Sequence, residues 1–99
     1  MNTNLNLPES YAKDIARAVE ILKGAGCADV YLFGSLAAGE VRKDSDIDLA
    51  VKGCPTGRYY DLQGKLLRAL HHPTDLVNLD WEDAFTSYLS RKGSLVRIG

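Results

Sequence analysis

The chain has 99 residues, of which 45% are apolar and 25% charged, and twelve Lys and Arg against thirteen Asp and Glu give a net charge of −1. This composition excludes a disordered, collagen-like or coiled-coil chain, and the charge balance offers no means of holding a nucleic-acid backbone by bulk charge. A chain of this length has room for one hydrophobic core, so we expect a single domain over residues 1–99.

The first half of the chain predicts a helix followed by two strands. Apolar residues recur at spacings of three and four over residues 8–24, which is typical of a helix with one buried face. Residues 28–33 are rich in β-forming side chains and bounded by glycines, and predict a buried strand. Residues 34–39 predict a tight turn and a brief helical turn. Residues 46–51 alternate acidic and aliphatic side chains, as in a strand with two unlike faces.

The second half predicts two further helices, over about residues 59–70 and 81–91, with a strand at 74–79 between them and a short edge strand at 94–98. Asp80 is the expected cap of the last helix. The side chains expected to face the core are Leu62, Leu66, Leu67 and Leu70 in one helix and Trp81, Phe85, Tyr88 and Leu89 in the other. The order α-β-α-β-α-β-α predicts an α+β fold, a small mixed sheet of three to four strands with helices packed on it.

The two cysteines and the absence of sorting signals bear on the compartment. No apolar run reaches the roughly 18 residues of a membrane span, and residues 1–7 lack the cationic and apolar regions of a signal peptide. We therefore expect a cytoplasmic protein without membrane contact. In that compartment Cys27 and Cys54 are expected to be reduced, partly buried thiols.

Gly34 and Ser35 directly follow the first predicted strand. A glycine there lets the backbone approach a ligand closely, and a serine adds a hydroxyl and its N–H. A helical turn just beyond would offer further N–H groups to a phosphate. The segment is not the P-loop of nucleoside triphosphatases, because the second glycine, Gly39, is followed by Glu40 and Val41. A Gly-Ser pair alone is usually only a turn.

Asp46 and Asp48 are two residues apart on a predicted strand, so their carboxylates project from the same face, with Cα atoms roughly 6.5–7 Å apart. Two such anions repel by roughly 2 kcal/mol at an effective dielectric constant near 20. A cation between them would relieve the repulsion, and oxygen ligands suit Mg²⁺. The alternative is a solvated strand end. A calcium-binding EF-hand is poorly supported, because Leu49 stands where that loop needs glycine.

Asp75 opens the next predicted strand and would lie beside Asp48 in a small sheet. Its carboxylate would then face the same ions, and two Mg²⁺ about 4 Å apart would hold a triphosphate and activate a hydroxyl, with Asp75 as ligand and base. The alternative is an ordinary polar strand start. The spacing G-S-x10-D-x-D, with strands on both sides, makes the combination far rarer than its parts.

At these residues the chain resembles the polymerase-β-type nucleotidyltransferase superfamily, and more closely the minimal nucleotidyltransferase (MNT) domains that pair with HEPN-domain toxins. The resemblance covers nearly the whole chain, from the leading helix to the last one. It implies that Gly34 and Ser35 hold a triphosphate, that Asp46 and Asp48 bind both Mg²⁺ ions, and that Asp75 completes the acidic triad.

The chain departs from many of these relatives just after Gly-Ser. Arginines are common there in the family, whereas residues 36–38 of this chain are Leu-Ala-Ala. The triphosphate charge must then be met by other cations, for which Arg42 and Lys43 are the candidates. The departure predicts weaker nucleotide binding or activity than is usual in the family.

The resemblance implies an Mg²⁺-dependent enzyme that transfers AMP from ATP to a hydroxyl and releases pyrophosphate. It further implies that the acceptor is a tyrosine of a HEPN-type toxin, so that the chain is the antitoxin in a hetero-oligomer. One alternative is an antitoxin that neutralises its partner by binding, with weak or no catalysis. A second is a subunit that modifies a small molecule such as an aminoglycoside.

Overall fold

The computed structural model describes residues 7–42, 44–92 and 95–99. Its elements are α1 (Glu9–Gly24), β1 (Asp29–Phe33), α2 (Gly34–Ala37), β2 (Ile47–Lys52), α3 (Tyr59–Ala69), β3 (Thr74–Asn78), a 3-10 turn (Leu79–Trp81), α4 (Ala84–Lys92) and β4 (Val96–Arg97). The predicted α+β class and the order of helices and strands are confirmed. None of the described helices is both long and apolar enough to span a bilayer.

The four strands form one mixed sheet in the order β3-β2-β1-β4. β1, one of the two inner strands, runs antiparallel to both of its neighbours, while β2 and β3 run parallel. The register pairs Asp48 with Phe33 on one side and with Asp75 on the other. The end of β1 and the starts of β2 and β3 therefore meet at one end of the sheet, which is where the predicted site residues gather.

One face of the sheet is covered by α1 and α3, which contact each other as well as the strands. The main core is formed by apolar side chains recurring at helical spacing on α1 and α3 and at alternate positions of the strands. Its largest fully buried members are Leu22, Leu32, Leu36, Ile47, Leu49, Leu62, Leu66, Val30 and Val51. Leu67 is an exception to the predicted set, with 62% of its surface exposed, because it follows Leu66 and points about 100° away around the helix.

The other face of the sheet is covered by α4 through Leu89, which packs against Phe33 and Ala50. The predicted burial of three aromatic residues is wrong: Trp81, Phe85 and Tyr88 are 51%, 49% and 49% exposed. A nine-residue helix places one narrow stripe against a small sheet, and here Leu89 and Thr86 occupy that stripe.

The predicted cap of the last helix is also wrong. The backbone N–H of Thr86 donates to Asp83 Oδ1 at 2.8 Å, so Asp83 caps α4. Asp80 instead accepts a hydrogen bond from the backbone N–H of Gly53 at 2.8 Å. The helix consequently begins three residues later than predicted, and Trp81 belongs to the preceding 3-10 turn.

Cys27 and Cys54 are joined in a disulfide, which corrects the prediction of two reduced thiols. The cause is the antiparallel register of β1 and β2, in which Asp29 lies opposite Lys52. Continuing that register by two residues beyond each strand places position 27 opposite position 54. The prediction of reduced thiols was based on the expected compartment alone, which says nothing about strand register.

Candidate active site

The structure brings two of the three predicted acidic residues together on adjacent strands. Asp48 of β2 and Asp75 of β3 are register partners, and Asp75 is exposed while Asp48 is partly buried. Asp46 is exposed and precedes β2, which begins at Ile47, so it lies on the loop that leads into the strand. The three side chains thus share one end of the sheet. The prediction that Asp46 belongs to the strand is wrong by one residue, because β2 begins at Ile47.

The electrostatics of this acid centre, formed by Asp46, Asp48 and Asp75, centre on Asp48. Burial, followed by the negative charges of Asp75 and Asp46 and by a hydrogen bond with the Asp75 side chain, raises the pKa of Asp48 from 3.8 to about 6. The site therefore concentrates more negative charge than its surroundings stabilise. A bound cation would relieve that repulsion.

Gly34 lies directly against this carboxylate. Its φ of +74° is in the left-handed region, and a Cβ atom there would overlap Asp48 Oδ2 and lie 3.2 Å from Asp48 Cγ. Only glycine lets the backbone turn and approach the acid centre at once. The close contact seen here is with the protein's own Asp48 carboxylate, whereas the predicted approach to a ligand stays a prediction.

Ser35 follows in α2, and its segment is held by backbone hydrogen bonds. The N–H of Glu40 donates to the Ser35 carbonyl at 2.8 Å, and that of Ala38 donates to the Gly34 carbonyl at 3.2 Å. An open cavity of about 540 Å³ begins at Ser35 and is lined also by Glu40, Arg42, Asp44 and Ser45. This volume lies in the range of small-molecule sites.

The candidate triphosphate cations can be placed only in part. Arg42 lines the cavity with its side chain exposed to solvent. Lys43 lies outside the described residues. The segment Leu36-Ala37-Ala38 contributes no cation, and Leu36 is fully buried in the main core.

The donor set fits a hard divalent cation. Carboxylate oxygens are the ligands that Mg²⁺ takes, and Mg²⁺ usually completes its shell with water and substrate phosphate. The pairing of Asp48 with Asp75 supplies two carboxylates on neighbouring strands, and Asp46 supplies a third nearby. Over residues 7–42, 44–92 and 95–99, no group of three or more His, Cys, Asp or Glu side chains is placed to hold a metal ion, so a cation here would need further ligands from water or substrate.

Two tyrosines near the acid centre were missed by the sequence reasoning. The hydroxyl of Tyr59 donates to the carbonyl of Leu76, next to Asp75. Burial, the neighbouring Tyr60 and the charge of Asp75 raise the pKa of Tyr59. Tyr11, assigned from periodicity to an apolar helix face, donates its hydroxyl to the Ser45 carbonyl. The sequence signal that could have indicated these contacts was the tyrosine hydroxyl itself, because a buried tyrosine hydroxyl usually has a hydrogen-bond partner.

Comparison with known proteins identifies the family. A family model described as Polymerase beta, Nucleotidyltransferase matches residues 17–96. No match is found among curated proteins.

Three solved structures share the fold. One, described as "Structure of putative minimal nucleotidyltransferase", is 26% identical, with a TM-score of 0.65 and 99% of each chain covered. A toxin-antitoxin structure with AMP-PNP is 24% identical, with a TM-score of 0.62 over 91% of this chain and 72% of that one. The toxin-antitoxin MntA-HepT is 22% identical, with a TM-score of 0.61 over 87% and 69%.

Proposed function

We propose a specific activity for this chain, which belongs to the polymerase beta nucleotidyltransferase family: it transfers AMP from ATP to a hydroxyl of a partner protein and thereby acts as an antitoxin. The observation that carries the proposal is the pairing of Asp48 with Asp75 against the backbone of Gly34. This arrangement places paired carboxylates beside a backbone turn, next to a cavity of about 540 Å³ lined by Ser35 and Arg42.

In this proposal Asp46, Asp48 and Asp75 hold two Mg²⁺ ions. The ions, when bound, neutralise charge that develops on the phosphate oxygens and lower the pKa of the attacking hydroxyl. The raised pKa of Asp48, caused first by burial and then by the charges of Asp75 and Asp46, supports a cation at this position. The solved toxin-antitoxin structure with AMP-PNP supports ATP as the nucleotide.

The chain's own residues bind and orient the reactants. Gly34 and Ser35 contact the triphosphate through the backbone and the serine hydroxyl, and Arg42 supplies a positive charge from the cavity wall. Asp75, the more exposed carboxylate of the pair, accepts the proton of the acceptor hydroxyl. A bond forms from that oxygen to the α-phosphorus, the bond from the α-phosphorus to its bridging oxygen breaks, and pyrophosphate leaves.

The proposed acceptor is a tyrosine hydroxyl on a HEPN-type toxin, bound to this chain in a hetero-oligomer. Two structural neighbours described as toxin-antitoxin assemblies, one of them MntA-HepT, support this partner. Exposure of Asp46 and Asp75 supports a protein acceptor, because a side chain of another molecule can approach the acid centre from solvent.

A transfer assay tests the proposal. The purified chain is incubated with Mg²⁺, ATP labelled at the α-phosphate and a lysate of its source cell. We expect label on one protein with the wild type and with Asp61→Asn, a matched exposed aspartate on α3. We expect none with Asp46→Asn/Asp48→Asn. Equal transfer by that double variant would contradict the proposal, and label on a small molecule instead would favour the small-molecule acceptor.

One observation favours a second function, in which the chain neutralises its partner by binding alone. The segment that follows Ser35 contributes the buried Leu36 and no cation. A triphosphate would therefore be held by fewer positive charges than in relatives that carry arginines there. If Asp46→Asn/Asp48→Asn still binds and neutralises the toxin as well as the wild type does, binding is the function. Loss of neutralisation with retained binding would support catalysis.

A further inference from the structure

Two polar side chains lie on the buried face of α1, one helical turn apart. Tyr11 and Asp14 are only 4% and 3% exposed. A phenol hydroxyl and a carboxylate are costly to bury unless hydrogen bonds replace those they made with water. Both side chains find their partners in loops, and these are the loops that lead into β2 and β3.

Tyr11 holds the loop before β2. Its hydroxyl donates to the Ser45 carbonyl at 2.8 Å, across 34 positions of sequence. Ser45 is itself buried, and its Oγ accepts from the backbone N–H of Arg42 at 2.7 Å. The next residue is Asp46. The tyrosine hydroxyl therefore fixes the peptide from which the Asp46 side chain extends.

Asp14 holds the loop before β3. Its Oδ2 accepts from the backbone N–H groups of His71 and His72, at 2.9 and 2.8 Å. The strand that carries Asp75 begins two residues after His72. The ring of Tyr11 also stacks on the His72 ring, with centroids 3.7 Å apart and planes 8° from parallel. One face of α1 thus holds both loops that precede the acidic residues.

We propose that Tyr11 and Asp14 are positioning residues of the acid centre: Tyr11 sets the place of Asp46, and Asp14 sets the place of Asp75. The catalytic meaning of this role rests on the proposed function. Its physical basis is that Mg²⁺ and Mn²⁺ accept carboxylates only within narrow distances, so displacement of a loop weakens the site without removing a ligand. Both side chains are buried and bond to the backbone of the two loops.

Binding of Mn²⁺ to the full-length chain, followed by electron paramagnetic resonance, tests this role independently of transfer activity. Tyr11→Phe keeps the ring and its stack on His72 and removes only the hydroxyl. We expect roughly tenfold weaker Mn²⁺ binding. Tyr60→Phe, which removes a hydroxyl from a side chain that is 76% exposed, is the matched control and should bind like the wild type.

Crossed backgrounds separate positioning from general damage to the fold. The loss of Mn²⁺ affinity caused by Tyr11→Phe should disappear when Asp46→Asn is already present and persist when Asp75→Asn is present. The loss caused by Asp14→Asn should instead disappear in Asp75→Asn and persist in Asp46→Asn. Mn²⁺ affinity within twofold of the wild type, or the same loss in both backgrounds, would overturn the proposal. Circular dichroism shows whether each variant folds. If Asp14→Asn does not fold, Tyr11→Phe and its combinations with Asp46→Asn and Asp75→Asn decide the proposal. Tight Mn²⁺ binding by a wild-type chain that transfers nothing would contradict the proposed function and leave this inference intact.

Discussion

The backbone of Gly34 lies so close to the Asp48 carboxylate that any side chain at position 34 would overlap it. Gly39, five residues later, has a similar φ of +78°, but among the described residues beyond its two chain neighbours no atom lies within 4 Å of the place a Cβ would take. The two glycines share a backbone conformation and differ in what surrounds them. Comparing them separates conformational strain from loss of space at the acid centre.

Substitution by alanine should therefore have different consequences at the two positions. Gly39→Ala should cost about 1–2 kcal/mol of unfolding free energy, from left-handed strain alone, and leave transfer activity intact. Gly34→Ala should cost more and abolish transfer, because its methyl group displaces Asp48. Urea unfolding and the labelled-ATP assay measure the two effects. Full activity of Gly34→Ala would contradict the proposed site.

The raised pKa of Asp48 predicts how metal binding depends on pH. Between pH 3.8 and about 6, the Asp48 carboxyl holds its proton in the folded metal-free chain and has lost it in the unfolded chain. The free energy of unfolding should therefore fall as the pH rises through that window. A cation must displace the same proton. Mn²⁺ affinity should accordingly fall about tenfold per pH unit below pH 6 and level off above it.

Asp75→Asn provides the matched comparison for that profile. Removing the Asp75 charge should move the pH midpoint of Mn²⁺ binding downward, because this charge is one cause of the raised pKa of Asp48. A titration monitored by electron paramagnetic resonance at several pH values gives both midpoints. An unchanged midpoint, or affinity independent of pH between 4 and 6, would contradict this account of the site's electrostatics.

The sequence predicted those features that depend on local periodicity and on pairing of neighbouring strands. Alternation over residues 46–51 placed Asp48 on a strand, and an acidic start to the next strand placed Asp75 beside it, as the register confirms. The tight turn at Gly34 was predicted from glycine at a strand end, whereas the contact of Gly34 with Asp48 was not predicted. These features need little information beyond a few consecutive residues.

The features that were missed depend on contacts across the fold. The bond from Tyr11 to Ser45 joins residues 34 positions apart, and the disulfide joins residues 27 positions apart. The exposure of Phe85 followed from the place where α4 begins, which is set by Asp83 rather than Asp80. Two aspartates three positions apart have the same capping propensity, so the choice between them depends on tertiary packing.

Adjacent leucines on α3 test the corrected account of the core. Leu66 is buried and Leu67 is 62% exposed. Leu66→Ala should cost about 2–5 kcal/mol of unfolding free energy, through lost apolar contact and the cavity left behind. Leu67→Ala should change it by less than about 0.5 kcal/mol. Denaturant unfolding of both variants gives the comparison, and similar losses at the two positions would contradict the packing of α3.

The disulfide between Cys27 and Cys54 should stabilise the fold by restricting the unfolded chain. For a loop closed across 27 positions, the loss of unfolded-state entropy corresponds to about 3–4 kcal/mol. Dithiothreitol should lower the melting temperature of the wild type and leave that of Cys27→Ser/Cys54→Ser unchanged. Equal melting temperatures with and without the reductant would show that the bond contributes nothing to stability.

Arg42 tests how the chain compensates for the absence of cations in Leu36-Ala37-Ala38. Its side chain is exposed on the wall of the cavity that Ser35 also lines, so in the proposed function it would meet the triphosphate there. Arg42→Gln should raise the KM for ATP about tenfold, which corresponds to losing one charge-assisted contact, while kcat changes little. Arg17→Gln, on the exposed side of α1, is the control and should leave both constants unchanged. A lower kcat with unaltered KM would instead assign Arg42 to the reacting centre, since an interaction made only in the transition state lowers kcat.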